Sequence, residues 1–141
     1  MKIENGYYIW NKNESGKLTP NFNLEEFQCQ CSYPECVEQK ASVELMDRLE
    51  RVRGNAGFPL AITSGFRCAA HQKALAETPG VETAVGLSQH ELGNAADVRC
   101  NSLTGAELTL KAQDIFTSLG VARRFVHMDL RPGYRRWSYS Y

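Results

Sequence analysis

Ser88-Gln-His-Glu-Leu-Gly-Asn-Ala-Ala-Asp97 is the stretch on which the reading of this chain turns. It sets an imidazole, His90, seven residues before a carboxylate, Asp97, with Gly93, Ala95 and Ala96 between them. A neutral ring nitrogen and an anionic oxygen together suit a borderline cation such as zinc. Two ligands do not complete a tetrahedral site, so a third has to come from elsewhere. The histidines are His71, His90 and His127. His127 lies in Phe125-Val-His-Met-Asp129, which reads as a strand. On an extended segment residues i and i+2 face the same way. Phe125, His127 and Asp129 then share one face, while Val126 and Met128 point into the core. The expected site is zinc held by His90, Asp97 and His127, with a fourth position open to solvent, as in catalytic rather than structural zinc. Asp129 would serve there as general base or as the partner that orients a ligating imidazole. Its bland alternative is an ion pair with a nearby arginine.

The flanking segments supply the rest of the pocket. Asn94 to Arg99 reads as a strand on which Asp97 shares a face with Ala95. Leu60-Ala-Ile-Thr63 reads as a short buried strand, broken by Ser64-Gly65 so that Arg67 is aimed into a cleft. The planar guanidinium suits a substrate carboxylate or a developing oxyanion. A helix from Ala69 to about Glu77 follows, and His71 on it is given no role. Residues 78–87 show no period and read as a loop of the kind that borders a binding cleft.

Two helices stand out. Ser42 to Arg53 carries the stripe Leu45, Met46, Leu49 and Val52, capped by Ser42 and ended by Gly54 and Gly57. Thr104-Gly-Ala-Glu107 is a capping box. The helix it starts is expected to bury Leu108, Ala112, Ile115 and Leu119 and to stop at Gly120. The tail holds candidate strands at Phe125 to Leu130 and Arg136 to Tyr139, with Arg131-Pro-Gly-Tyr134 as a turn between them. Near the start, Tyr7 to Trp10 reads as a short edge strand or an arm, and Asn23 as the cap of a helical turn through Phe27. Few helices, several short strands and no βαβ repeat predict an α+β fold with a small antiparallel sheet flanked by helices. The expected organisation is an N-terminal arm at 1–20 and one domain at 21–141.

Bulk properties narrow the function. The chain has 141 residues, enough for one domain with a core, and 16 basic residues balance 16 acidic ones. No global field favours nucleic acid or an anionic membrane. The best case for nucleic acid is the tail, where Arg123, Arg124, Arg131, Arg135 and Arg136 accompany Tyr134, Trp137 and Tyr139, residues equally suited to a sugar or peptide groove. No apolar run is long enough for a membrane span, and the first residues lack the apolar core of a signal peptide. Cytoplasmic synthesis and a monomer are expected. The five cysteines, Cys29, Cys31, Cys36, Cys68 and Cys100, cannot all pair within one chain. Cys29, Cys31 and Cys36 form a C-x-C-x4-C pattern with no adjacent fourth ligand. They are taken as small buried hydrophobes, with a metal reading left open. Cys68 and Cys100 either pack or meet as thiols.

Taken together, Ser64-Gly-Phe-Arg67, Ser88-x-His90-x-x-Gly93-x-Ala95-x-Asp97 and Phe125-Val-His127-x-Asp129-x-Arg131, with Trp137, resemble the zinc D-alanyl-D-alanine carboxypeptidase family. That family includes phage endolysin L-alanyl-D-glutamate peptidases and shares a clan with lysostaphin-type enzymes and the hedgehog domain. The Asn21 to Cys36 segment is similar to the start of small phage members, so the likeness covers nearly the whole chain from Asn21. The resemblance implies a hedgehog/D-Ala-D-Ala-peptidase-like fold, zinc on His90, Asp97 and His127, and Arg67 as the group that binds substrate or steadies the oxyanion. It implies peptidoglycan stem peptide as substrate, reached after phage-type lysis. Many members carry an acidic residue three before the last zinc histidine. Here that position is Arg124, and where some members have a histidine two before it, this chain has Phe125. Asp129 is the local replacement for the base. The alternative is a zinc-containing module that binds wall or a partner protein without cleaving.

Overall fold

A computed structural model of the chain describes residues 1–83 and 88–141. In chain order the elements are β1 (Lys2–Glu4), β2 (Tyr7–Asn11), β3 (Lys17–Thr19), β4 (Phe22–Asn23), α1 (Leu24–Phe27) and β5 (Glu38–Ser42). There follow α2 (Val43–Ala56), β6 (Ala61–Ser64), α3 (Ala69–Ala76), β7 (Ala95–Arg99), α4 (Gly105–Ala112), β8 (Ser118–Val121), β9 (Val126–Asp129) and β10 (Arg135–Ser138). The fold is α+β, with four helices among the described residues against small, mainly antiparallel sheets. The principal sheet has the order β10-β8-β9-β7-β6. Its β7–β9 and β8–β9 pairs are antiparallel, whereas β10 runs parallel to β8. The turn at Gly133 therefore does not close a hairpin onto β9 but carries the chain past it to the sheet edge.

Helix α2 forms where the sequence places it. Ser42 Oγ accepts a hydrogen bond from Leu45 N at 3.3 Å, and Leu45, Met46, Leu49 and Val52 are buried at helical spacing. Each such side chain contributes about 1.5–3 kcal/mol on removal from water. The helix runs through Gly54 and ends at Gly57, whose φ of 73° needs no Cβ. Helix α4 has the expected box, with Thr104 Oγ1 accepting from Glu107 N and the Glu107 carboxylate from Thr104 N.

Three expectations need correction. Leu119 and Gly120 do not end α4, which stops at Ala112; they belong to β8. The spacing of Leu108, Ala112, Ile115 and Leu119 mimics one helical stripe because the turn after Ala112 returns Ile115 and Phe116 to the same core. Gly120 is required by close approach, since a Cβ there would lie 2.4 Å from the Trp137 ring. The 60–63 segment is buried only at Leu60, which joins the core; β6, which follows it, is the sheet edge, with Ala61 exposed and Ile62 half-buried. Finally, β2 is the middle strand of the sheet β1-β2-β5, not an edge, and Trp10 on it is in the core. Residues 1–20 thus supply β1, β2 and β3. Part of the expected 78–87 loop, residues 84–87, lies outside the described residues.

Candidate metal centre

The centre of the principal sheet places the chemistry. Asp97 on β7 and His127 on β9 are direct partners in the antiparallel register, so their side chains rise side by side from one face. Val126 and Met128 on the opposite face are fully buried, as the alternation requires. His90 reaches the pair from the turn that precedes β7, where Gly93 takes a φ of 73° and its N–H bonds His90 O at 3.2 Å. His90, Asp97 and His127 are all buried, and one ligating atom from each lies within 4.8 Å of the others.

Hydrogen bonds assign the ring nitrogens. His90 Nδ1 lies 2.7 Å from Gly65 O, a carbonyl that can only accept, so Nδ1 carries the proton and Nε2 the lone pair. That Nε2 faces Asp97 Oδ1 at 3.4 Å. Burial lowers the His90 pKa, against the pull of Asp97. His127 is bracketed by carboxylates, with Nδ1 3.0 Å from Asp97 Oδ1 and Nε2 2.8 Å from Asp129 Oδ2. Burial works against its charged form, but the hydrogen bonds and charges of Asp129 and Asp97 outweigh it and raise its pKa. Asp97 and Asp129 are both held well below the usual carboxylate range: burial opposes this, and the two histidines at Asp97, and His127 and Arg131 at Asp129, overcome it.

This donor set fits a divalent cation. The lone pair of His90 Nε2 and the anionic Asp97 Oδ1 point at one another with no proton to share, and a charge between them relieves the repulsion. His127 Nδ1 joins them when deprotonated. His90 and His127 each keep an outer hydrogen bond, to Gly65 O and to Asp129, which is the usual way a ligating imidazole is oriented. Two imidazoles and one carboxylate are borderline donors of the kind zinc takes.

Arg67 stands beside this group. Its Nη2 lies 3.2 Å from Asp97 Oδ2, its Nε donates to Ser64 Oγ at 3.0 Å and its Nη1 to Gln72 Oε1 at 3.1 Å. Arg67, His90, Asp97 and His127 line a cavity of about 440 Å³ together with Trp137, Tyr139 and Tyr141. The tail aromatics thus form a cavity wall, with Trp137 5.4 Å from the His127 ring and Arg131 stacked 5.3 Å over Trp137. Asp129 is fully buried and sits behind His127, outside the cavity lining. Arg131 clamps its Oδ1 through Nε at 3.1 Å and its Oδ2 through Nη2 at 3.0 Å. His71 does not line the cavity.

Sequence reading missed Gly65 O, Gln72 and Glu82. Gly65 acts through its backbone, which no side-chain pattern reveals. Gln72 is buried on α3 one turn beyond Arg67, and an amide inside a short polar helix carries no distinguishing pattern. Glu82 lines the cavity from a loop without periodicity. Of the two alternatives for Cys68 and Cys100, packing holds for Cys100, which lies in the core, while Cys68 meets Cys31 instead, at 3.7 Å between sulfurs.

Among known proteins, the family model described as peptidase M15 matches residues 20–129, a span that contains every residue of the centre. A search of curated proteins finds no match. Among the described residues no helix is long and apolar enough to cross a membrane.

Proposed function

The chain belongs to the peptidase M15 family, and from that premise we propose that it is a zinc peptidase that hydrolyses an amide bond in the stem peptide of bacterial peptidoglycan. The observation that carries this reading is that one ligating atom each of His90, Asp97 and His127 lies within 4.8 Å of the others, on side chains that line the cavity, with His90 Nε2 and His127 Nδ1 both facing Asp97 Oδ1. Three protein donors leave a position for solvent and substrate. Zinc bound there would polarise the scissile carbonyl and make an attacking water more acidic.

The chain's own residues supply the rest. Arg67 is held by Ser64, Gln72 and Asp97 on the cavity wall, where a guanidinium grips a substrate carboxylate or steadies a developing oxyanion. Asp129 accepts the Nε2 proton of His127 and so turns Nδ1 toward Asp97. Of the two roles open to it, orientation suits its buried place behind the ring. The aromatic wall of Trp137, Tyr139 and Tyr141 offers apolar faces to a peptide. Residues 21–141 act as a single catalytic domain and the protein acts as a monomer. Its target lies in the wall, reached after phage-type lysis, with the terminal D-Ala-D-Ala bond, the L-Ala-D-Glu bond or a cross-bridge as the point of cleavage.

The test is digestion of purified peptidoglycan by the zinc-loaded protein, with mass spectrometry of the released fragments. New amino groups and free D-Ala identify a carboxypeptidase; fragments ending in L-Ala identify the endopeptidase. Binding to the wall with no new amino group would replace this reading with that of a non-cleaving module.

A further inference from the structure

A second cluster of soft ligands lies apart from the His-Asp-His centre. Cys29, Cys31, Cys36 and Cys68 bring their four Sγ atoms within 4.8 Å of one another. We propose that these four cysteines hold a second, structural zinc ion, as a closed tetrathiolate that fixes the turn bearing Arg67.

The spacing is that of ligands around an ion and not of a disulfide. Cys31 Sγ and Cys68 Sγ are 3.7 Å apart. A disulfide needs about 2.05 Å, whereas tetrahedral bonds of about 2.3 Å put neighbouring sulfurs roughly 3.8 Å apart. Four thiolates fill the coordination shell, which is the closed arrangement of structural zinc.

The surroundings suit an anionic cluster. Cys68 N donates to Cys29 Sγ at 3.3 Å and the buried Gln39 Nε2 donates to Cys36 Sγ at 3.5 Å. The Lys12 ammonium lies 3.5 Å from Cys31 Sγ and 3.9 Å from Cys36 Sγ, and its bond to Cys31 O at 2.7 Å holds it there. One divalent ion on four thiolates leaves two negative charges, and Lys12 offsets one of them.

The cluster also answers a structural need. Residues 28–37 form neither helix nor strand, and α1 before them is only four residues long. Cys68 is the N-cap of α3 and follows Arg67 directly. An ion joining Cys68 to Cys29, Cys31 and Cys36 anchors the irregular loop to the turn that presents both Arg67 and the Gly65 carbonyl bound by His90. Structural zinc of this kind contributes folding free energy directly.

The experiment is metal analysis and cobalt spectroscopy on the full chain purified under reducing conditions. Two zinc ions per chain are expected, falling to one in His90→Ala and unchanged in Cys100→Ala. After exchange, cobalt in His90→Ala should show intense thiolate-to-cobalt charge-transfer absorption in the near ultraviolet. A chain with one ion, lost in His90→Ala and without that absorption, would overturn the cysteine site while leaving the peptidase centre intact. One ion that survives His90→Ala and shows the absorption would support the cysteine site and remove the other. Two disulfides in the purified protein, seen as a loss of four hydrogen masses, would also overturn it. Cys31→Ser should lower the thiolate absorption; if that variant does not fold, the cobalt spectrum of His90→Ala decides alone.

Discussion

His127 and Asp129 stand two residues apart on β9 with Nε2 and Oδ2 2.8 Å apart, so the carboxylate lies on the side of the ring away from Asp97. Arg131 closes off Asp129 with a backbone N–H bond of 2.8 Å to Oδ1 and a guanidinium contact to Oδ2. The carboxylate is thus ionised, buried and fully engaged. On the proposed reading it holds the Nε2 proton of His127, which would leave Nδ1 as the donor atom for a cation.

Asp129→Asn separates orientation from proton transfer. If the carboxylate orients His127, zinc affinity at this centre should fall about 10–100-fold, and activity should return when zinc is raised to saturation. Zinc titration beside turnover on peptidoglycan makes the distinction. Undiminished zinc affinity with activity lost at every zinc concentration would make Asp129 the base instead.

Arg67 touches Asp97 through the oxygen that does not face the histidines. Arg67→Lys keeps the charge but loses the fork that spans Ser64, Gln72 and Asp97. Turnover should fall about 100-fold, as for removal of one oxyanion donor, with zinc content preserved. Retained turnover in a folded, zinc-loaded Arg67→Lys would remove the guanidinium from the reaction.

Gly65 is packed against the backbone of Phe27, and a Cβ there would lie 2.7 Å from Phe27 Cα and 2.9 Å from Phe27 O. No flexible side chain can yield, so the turn must move. Gly65→Ala should destabilise the protein by about 1–3 kcal/mol and weaken zinc binding, because the carbonyl that holds His90 moves with the turn. Thermal melts with and without added zinc read both effects. An unchanged melting temperature would show that the turn is not so constrained.

Acid should strip the His-Asp-His centre before it unfolds the chain. His127 must lose its Nδ1 proton to ligate, and its pKa is raised above the ordinary 6.5. Protons therefore compete with the ion from above 6.5 downward, and occupancy falls as pH drops through that range. The depressed pKa values of Asp97 and Asp129 act on the fold itself. Their contribution is present above 3.8, the ordinary value, and is lost as pH falls below it. Zinc content at stepped pH, with His90→Ala as the blank, should drop while circular dichroism is still native. Simultaneous loss of both signals would contradict this order.

Much of the centre could be read in advance because it rests on local regularities. Val126 and Met128 alternate with His127 and Asp129, and two periods of a strand suffice to place them. The spacing from His90 to Asp97 across Gly93 left room for one turn and the start of β7. The capping residues Ser42 and Thr104 were legible for the same reason, since their partners lie within one turn. What escaped depended on distant contacts. Leu119 falls at helical spacing from Leu108 and Ala112, and only the packing of Trp137 over Gly120 marks its segment as a strand. Leu60 is buried as its composition suggests, but the composition of Ala61 to Thr63 does not say whether a neighbour covers the strand, and β6 is left at the sheet edge. Cys29, Cys31 and Cys36 lacked a fourth partner because Cys68 reaches them from beyond α2 and β6, a closure set by tertiary packing alone.

The most direct measurement is a crystal structure of the zinc-grown protein with anomalous scattering recorded at the zinc edge. One peak should lie among His90 Nε2, Asp97 Oδ1 and His127 Nδ1, about 2.0–2.2 Å from each, with its remaining side open to the Arg67 cavity. No peak at that position, or a peak closed by a fourth protein ligand, would contradict the assignment of a catalytic metal to this centre.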